Sequence, residues 1–106
     1  MAEETFIASA GTWGNSKYPN GFRITREVQK RLFKRKWKSV ILHIGQQPVS
    51  INLTDAFWVT CNELRSAKIK EWLVKRGLHK WTRGKPTKVR ITHLGGNEFK
   101  LVGPAN

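Results

Sequence analysis

The segment YPNGFRITREVQKRLFKRKWKSVILHI, residues 18–44, decides how this chain is interpreted. It passes from a Tyr-Pro-Asn-Gly turn into a strand in which apolar and polar residues alternate, and then into a short helix predicted at 26–33. Thr25 can cap the first turn of that helix, and Val28 and Leu32 lie one turn apart on its inward side. A second strand follows. The segment therefore predicts a strand-helix-strand unit.

Positive charge is the main feature of the composition. The 106 residues include 20 Lys and Arg against 7 Asp and Glu, which gives a formal net charge of +13 and a sequence pI near 10.7. Residues 26–38 hold seven of these bases and residues 65–90 hold ten. Like charges within one domain repel each other, so this concentration indicates an anionic partner, and nucleic acid is the first candidate.

The remaining strands are predicted from period-two alternation and turn residues. Further strands are expected at residues 5–10, 39–44 and 49–54, the last two joined by a turn at 45–48. The segment 88–102 predicts a hairpin, because Gly95, Gly96 and Asn97 can supply the positive φ angles of a tight turn.

A second helical region is predicted at 54–76, in two parts. Thr54 or Asp55 can cap the first part and Ser66 the second. Apolar residues of the first part recur at helical spacing, at Phe57, Cys61 and Leu64.

These elements define the expected fold. The chain is long enough for one hydrophobic core, so residues 1–106 are expected to form a single domain. Its positive charge makes this a DNA-binding domain by expectation, with a basic helical segment at 26–38. The order of elements predicts an α+β, mostly β fold. We expect a small antiparallel pseudobarrel of about six or seven strands, with two short helical segments between hairpins.

The patterns expected of an enzyme are missing from the sequence. His43, His79 and His93 lack the spacing of a metal site, and there is no Gly-rich phosphate loop. The seven acids are scattered, whereas a nuclease needs clustered acids to hold its metal ions. We therefore expect a non-catalytic protein with no metal, no cofactor and no small-molecule substrate.

The cellular compartment is predicted from three observations. The single cysteine, Cys61, excludes a disulfide within the chain and indicates a reducing environment. No apolar run approaches the roughly 20 residues of a membrane span. The first residues, MAEETFIASAG, are acidic where a signal peptide is basic. The expected location is cytoplasmic, associated with the nucleoid, or nuclear, without a membrane partner.

Two families resemble this sequence. Residues 18–44 resemble the strand-helix-strand unit of AbrB-type and MazE-type swapped-hairpin proteins. With FWVTCNELRSAKIKEWLVKRG (57–77) and the closing hairpin included, the chain is more similar to the DNA-binding pseudobarrel of the B-three superfamily. That fold is found in plant auxin-response factors and in effector domains of EcoRII-like restriction endonucleases. The resemblance implies two arms that grip the major groove of DNA.

By position, the resemblance places a first arm at residues 13–23 and a second arm at residues 52–60. Both contain the side-chain types that can distinguish bases by hydrogen bonding. The base-reading candidates are Ser16, Lys17, Tyr18, Asn20, Arg23, Asn52, Asp55 and Trp58. Asn20 and Asp55 also have local interpretations that stay open, since Asn-Gly is a turn dipeptide and Asp at a helix start is a cap.

Basic residues outside the arms are expected to meet the phosphates, which position a protein on DNA without reading sequence. These candidates are Arg26, Lys30, Lys34, Arg35, Lys36, Lys38, Arg65, Lys68, Arg83, Lys85 and Lys88. Of the five tryptophans, Trp13 and Trp58 are the two expected to be exposed. Two is few for a single-strand channel, so duplex DNA is favoured over single-stranded DNA or RNA.

The sequence therefore predicts a non-catalytic, sequence-specific double-stranded DNA-binding domain, a role that suits transcription regulation or a restriction effector domain. Two alternatives remain. One is an AbrB-like swapped-hairpin dimeric regulator. The other is a basic interaction or inhibitor protein that binds an acidic protein surface or a protein-RNA complex.

Overall fold

The computed structural model describes residues 3–105, which form seven strands and three short helices. In chain order these are β1 (Glu4–Gly11), β2 (Gly21–Arg23), α1 (Arg26–Leu32), β3 (Ser39–Ile44), β4 (Gln47–Asn52), α2 (Asp55–Val59), β5 (Glu63–Arg65), α3 (Ala67–Lys75), β6 (Lys88–Gly95) and β7 (Glu98–Pro104). The longest helix, α3, has nine residues. No helix in the described part of the chain has the length and apolar character needed to cross a membrane.

All seven strands belong to one sheet, in the order β4-β3-β7-β6-β1-β2-β5. The two edge strands, β4 and β5, approach each other, so the sheet curls into a nearly closed barrel. The predicted α+β, mostly β pseudobarrel is confirmed. One pair departs from the antiparallel prediction, because β3 and β7 run parallel.

The core lies inside the barrel and follows the alternation of the strands. Along β1, for example, Phe6, Ala8 and Ala10 point inward and are buried, while the residues between them are exposed or half-buried. Ile69 and Leu73 of α3 are fully buried and join the same core. Burying a large apolar side chain of this kind stabilises the fold by about 1.5–3 kcal/mol, so the barrel supplies a rigid frame for its loops.

Both predicted hairpins are present. β3 pairs with β4, and β6 pairs with β7. The first turn is shorter than predicted, because Pro48 already belongs to β4 and pairs with His43 of β3. β4 is an edge strand, where the missing backbone N–H of a proline is tolerated. In the second turn only Gly95 and Gly96 have positive φ angles, so the prediction for Asn97 was wrong.

The predicted cap of α1 is confirmed, since the Thr25 hydroxyl accepts a hydrogen bond of 3.2 Å from the Val28 N–H. The helix ends at Leu32, however, so only the first half of the segment 26–38 is helical. Phe33 is extended and buried in the core. A longer helix would also stack the like charges of 30–31 and 34–35 one turn apart, which is unfavourable.

The first part of the helical region predicted at 54–76 begins where expected, with Thr54 before α2, but its extension to Cys61 and Leu64 was wrong. α2 ends at Val59. Residues 63–65, which include Leu64, do not continue the helix but form β5, which pairs with β2. Asn62 fixes this change of direction, since its backbone carbonyl and its side-chain amide both bond to the backbone of Ile24. The second part is confirmed, with Ser66 capping α3.

Candidate nucleic-acid interface

The first arm is held in shape by its own hydrogen bonds. The Asn20 side-chain amide donates to the Trp13 carbonyl at 3.2 Å, and its oxygen accepts from the Trp13 N–H at 3.0 Å. The Asn20 N–H also donates to the Gly11 carbonyl at 3.0 Å. Both ends of the Asn20 side chain are therefore engaged within the arm, which favours its local interpretation as a loop-closing residue.

Trp13 lies flat on two glycines of the outer sheet surface. Gly11 of β1 and Gly21 of β2 pair directly across the sheet. A Cβ atom added to Gly11 would lie 2.5 Å from the Trp13 ring, and one added to Gly21 would lie 2.9 Å from it. The guanidinium carbons of Arg23 and Arg65 lie 5.7 and 5.8 Å from the centre of the ring. The glycines thus make room for a half-buried aromatic ring that holds two cations.

This arrangement leads to a stability prediction. Gly11→Ala should lower the free energy of unfolding by about 1–3 kcal/mol, because the new methyl group overlaps the Trp13 ring. In a Trp13→Ala background the same substitution should be nearly neutral, since the three heavy atoms nearest to the new methyl group all belong to the Trp13 ring. Urea unfolding of the four variants measures the coupling. Equal effects of Gly11→Ala in both backgrounds would contradict the packing of Trp13 on Gly11.

Neighbouring side chains extend this surface across the sheet. The Arg65 guanidinium pairs at 2.9 Å with Glu63, whose side chain is only 1% exposed. Arg23 lies opposite Ser9, and Ser9 lies opposite Lys88 on the next strand. We call these outward-facing residues the β2–β5 face: Ser9, Trp13, Arg23, Glu63, Arg65 and Lys88.

A groove of about 310 Å³ borders the β2–β5 face, between Trp13 and Pro86. The loop 79–87 reaches this position from the other side, because the Ala10 N–H donates to the Thr87 carbonyl at 2.8 Å. The Tyr18 ring packs edge-on against His79, with ring centres 5.4 Å apart. The predicted phosphate contacts in this part of the chain, Arg83, Lys85 and Lys88, are therefore brought beside the first arm.

The second arm is held by α1. Arg26 donates to the carbonyls of Trp58 and Val59, at 3.0 and 3.1 Å, and to the side chain of Gln29 at 3.0 Å. The buried Gln29 amide donates to the Phe57 carbonyl at 2.6 Å. Three successive carbonyls at the end of α2 are thus bonded to α1. Arg26, a predicted phosphate contact, is engaged within the protein.

The basic segment that follows α1 contacts the second arm. The Arg35 guanidinium carbon lies 5.8 Å from the centre of the Trp58 ring. The Lys38 carbonyl accepts a hydrogen bond of 2.8 Å from the Leu53 N–H. Lys34 and Lys36 are exposed. Each arm therefore has basic residues beside it. The β2–β5 face borders both arms, because Glu63 and Arg65 share a groove with Asn52 and Thr54 of the second arm, and Arg23 shares one with Trp13 of the first.

The other base-reading candidates are spread over both arms. The Ser16 hydroxyl donates to the Tyr18 carbonyl at 2.6 Å, and the Lys17 ammonium lies 5.6 Å from the Tyr18 ring. Asn52 and Asp55 are exposed at the base of the second arm. Thr54, not Asp55, is the N-cap residue of α2, and its side chain makes no capping bond. Trp13 and Trp58 are half-buried instead of exposed.

Few of the positive charges are paired with carboxylates. Within residues 3–105, which contain every Lys and Arg, a carboxylate lies within 4.0 Å of three of the 20. These are Arg31, Arg65 and Lys68. The hydrogen bonds from Arg31 hold the pKa of Glu4 below its ordinary value, and bonds to Glu4 and Glu27 raise the pKa of Arg31. Among the described residues no carboxylate lies within 4.0 Å of the other 17 cations, so ion pairs do not offset their mutual repulsion.

Two further searches, for a metal site and for similar proteins, give negative results. Among residues 3–105 no group of three or more His, Cys, Asp or Glu side chains is arranged to hold a metal ion. Comparison of the chain with models of known protein families, with curated proteins and with solved structures finds no match.

Proposed function

We propose that this protein is a non-catalytic, sequence-specific double-stranded DNA-binding domain. The observation that carries the proposal is the β2–β5 face, where Trp13 holds Arg23 and Arg65 at fixed positions between two cation-flanked arms. A guanidinium held in place loses less conformational freedom on binding, and Arg is the side chain best suited to guanine and to phosphate.

The shape of this surface suits the major groove. β2 has three residues and is about 7 Å long. The first arm leads into one end of β2, and the second arm leads towards β5, whose first residue, Glu63, pairs with Arg23 at the other end of β2. The major groove is about 12 Å wide and can admit elements of this size. The ring of Trp13 packs against glycines and guanidinium groups, and the Arg35 guanidinium lies over the ring of Trp58. Neither ring is laid out as a free platform for unpaired bases, which favours duplex over single-stranded DNA.

The proposed roles follow from the geometry. We propose that Ser16, Lys17 and Arg23 of the first arm, with Asn52 and Asp55 of the second, read base edges. The exposed cations of both groups contact phosphates, while Asn20 and Arg26 hold the arms in position. In a cell such a domain would act in the cytoplasm, on the nucleoid, or in the nucleus. The nearly closed barrel agrees with the proposed relation to the B-three superfamily.

The proposal predicts different effects for two arginines. On a duplex selected from a random pool, Arg23→Ala should weaken binding by about 1–3 kcal/mol, roughly 5- to 150-fold, and by much less on a scrambled duplex. Arg83→Ala should weaken binding to both duplexes alike, because Arg83 is an exposed phosphate candidate and a phosphate contact does not read sequence. Lys100→Ala is the matched control, since Lys100 is exposed on β7, three strands away from β2.

Gel-shift titration measures the affinity of each protein for duplex DNA, single-stranded DNA and RNA of the same sequence. The proposal expects the duplex to bind tightest and Lys100→Ala to bind like the wild type. Tighter binding of RNA, or no binding of any nucleic acid, would instead support a basic interaction or inhibitor protein. The swapped-hairpin dimer has less support, because β3 pairs with β7 of the same chain.

A further inference from the structure

Val59 is the most exposed of the large apolar side chains among the described residues, with 64% of its surface accessible. It is the last residue of α2, near the end of the second arm. A single exposed valine is ordinary on a protein surface, so its exposure alone assigns nothing. What distinguishes this valine is the way in which its backbone is held.

The end of α2 is fixed by side chains of α1. Arg26 bonds to the carbonyl of Val59 itself and to that of Trp58, and Gln29 bonds to the carbonyl of Phe57. Gln29 is only 3% exposed, and its oxygen accepts from Arg26, so the two side chains support each other. An exposed apolar side chain is thus presented from a short helix whose final carbonyls are all engaged.

The surroundings of Val59 indicate what it meets. Arg35 lies over the neighbouring Trp58 ring, and Lys34 and Lys36 are exposed on the same basic segment. If these cations contact phosphates, the end of α2 lies next to a DNA groove. The major groove offers a protein one apolar group, the C5-methyl of thymine.

We propose that Val59 contacts the C5-methyl group of a thymine in the major groove, and that Arg26 and Gln29 are positioning residues for this contact. The inference rests on the proposed function and deepens it, since it adds a base and a residue that the sequence pattern does not single out. Val59 lies within the second arm, but its apolar side chain has none of the hydrogen-bonding groups that mark a candidate base reader.

The test replaces thymine by deoxyuridine, which removes the methyl group and leaves the base pair intact. Each thymine of a selected duplex is replaced in turn, and binding is measured for the wild type and for Val59→Ala. At one position the replacement should lower the affinity of the wild type about fourfold, because that is the contribution of burying one methyl-sized group. Val59→Ala should bind the original duplex more weakly and should not respond to that replacement.

Val102→Ala is the matched control, because Val102 is 55% exposed on β7, away from the second arm. It should keep the wild-type response to deoxyuridine. Since Val59 is exposed, Val59→Ala should keep the fold, and its thermal unfolding checks this.

Arg26→Lys tests the positioning role separately. Lys keeps the positive charge but cannot reproduce the fork of two hydrogen bonds to successive carbonyls. We expect the variant to lose the discrimination between thymine and deoxyuridine while the salt dependence of binding stays unchanged. If discrimination survives in Arg26→Lys, the positioning role is wrong.

The outcomes separate this inference from the proposed function. Duplex binding without a thymine-methyl effect, or an effect that persists in Val59→Ala, overturns the Val59 contact alone. A wild-type protein that binds no duplex overturns the proposed function and this contact with it.

Discussion

Raising the salt concentration from about 50 to about 200 mM is expected to weaken duplex binding by about a thousand- to a hundred-thousand-fold. Eleven basic residues were predicted to contact phosphates, and all of them are exposed. Four have hydrogen-bond or ion-pair partners within the protein, namely Arg26, Arg65, Lys68 and Lys88. Seven remain, and they are Lys30, Lys34, Arg35, Lys36, Lys38, Arg83 and Lys85.

Seven phosphate contacts correspond to a slope of about −6 when the logarithm of the binding constant is plotted against the logarithm of salt concentration. Replacing Lys34, Arg35 and Lys36 together by Gln should reduce the steepness of this slope by about 3 and weaken binding to all sequences alike. Fluorescence titration at five or six salt concentrations gives both slopes. A wild-type slope near zero is incompatible with the proposed function, and an unchanged slope in the triple variant would show that this cluster faces away from DNA.

The second large effect concerns Phe33, which joins the barrel to the second arm. Its ring stacks on Phe99 of β7 at 4.7 Å between ring centres, and lies 5.3 Å from Phe57 of α2. Phe33→Ala should lower the free energy of unfolding by about 3–5 kcal/mol, through lost burial and the cavity that remains. Typical domains have only about 5–15 kcal/mol of stability, so the loss is severe.

Urea unfolding measures the effect, with Leu32→Ala as the neighbouring control. Leu32 is only half-buried, so its loss should be clearly smaller. In folded Phe33→Ala, the amide protons of α2 should also exchange faster with solvent, because α2 loses one of its contacts with the barrel. Equal stability losses in the two variants would argue against Phe33 as the junction.

Local sequence patterns predicted the fold well where the structure depends on neighbours in the chain. The strands at 39–44 and 88–102 were found from alternation, and Thr25 and Ser66 were found as caps from their positions before helices. The helix through Phe57, Cys61 and Leu64 was wrong because β5 gains a partner, β2, that lies some 40 residues earlier. Periodicity within a short window carries no information about such a partner.

The candidate site could be predicted only in part for the same reason. The sequence identified the basic residues, whereas the positions of the two arms came from the resemblance to the B-three superfamily and stay a prediction. It did not reveal that Gly11 and Gly21 pair beneath Trp13, since this depends on the register of two strands. Arg26 was predicted to face DNA because it is basic, but only the structure shows that two carbonyls of α2 lie within its reach.

The parallel pairing of β3 with β7 determines the order in which the molecule can be assembled. β3 and β4 lie in the first half of the chain, but they join the other strands only through β7, the last element. A growing chain therefore carries the β3–β4 hairpin without a sheet to receive it until residues 98–104 have been made. Contacts this distant in sequence slow folding, and the waiting hairpin has an unpaired strand edge that other chains could bind. Loss of β7 would divide the sheet into β4-β3 and β6-β1-β2-β5, so the final strand acts as a connector and not as an edge.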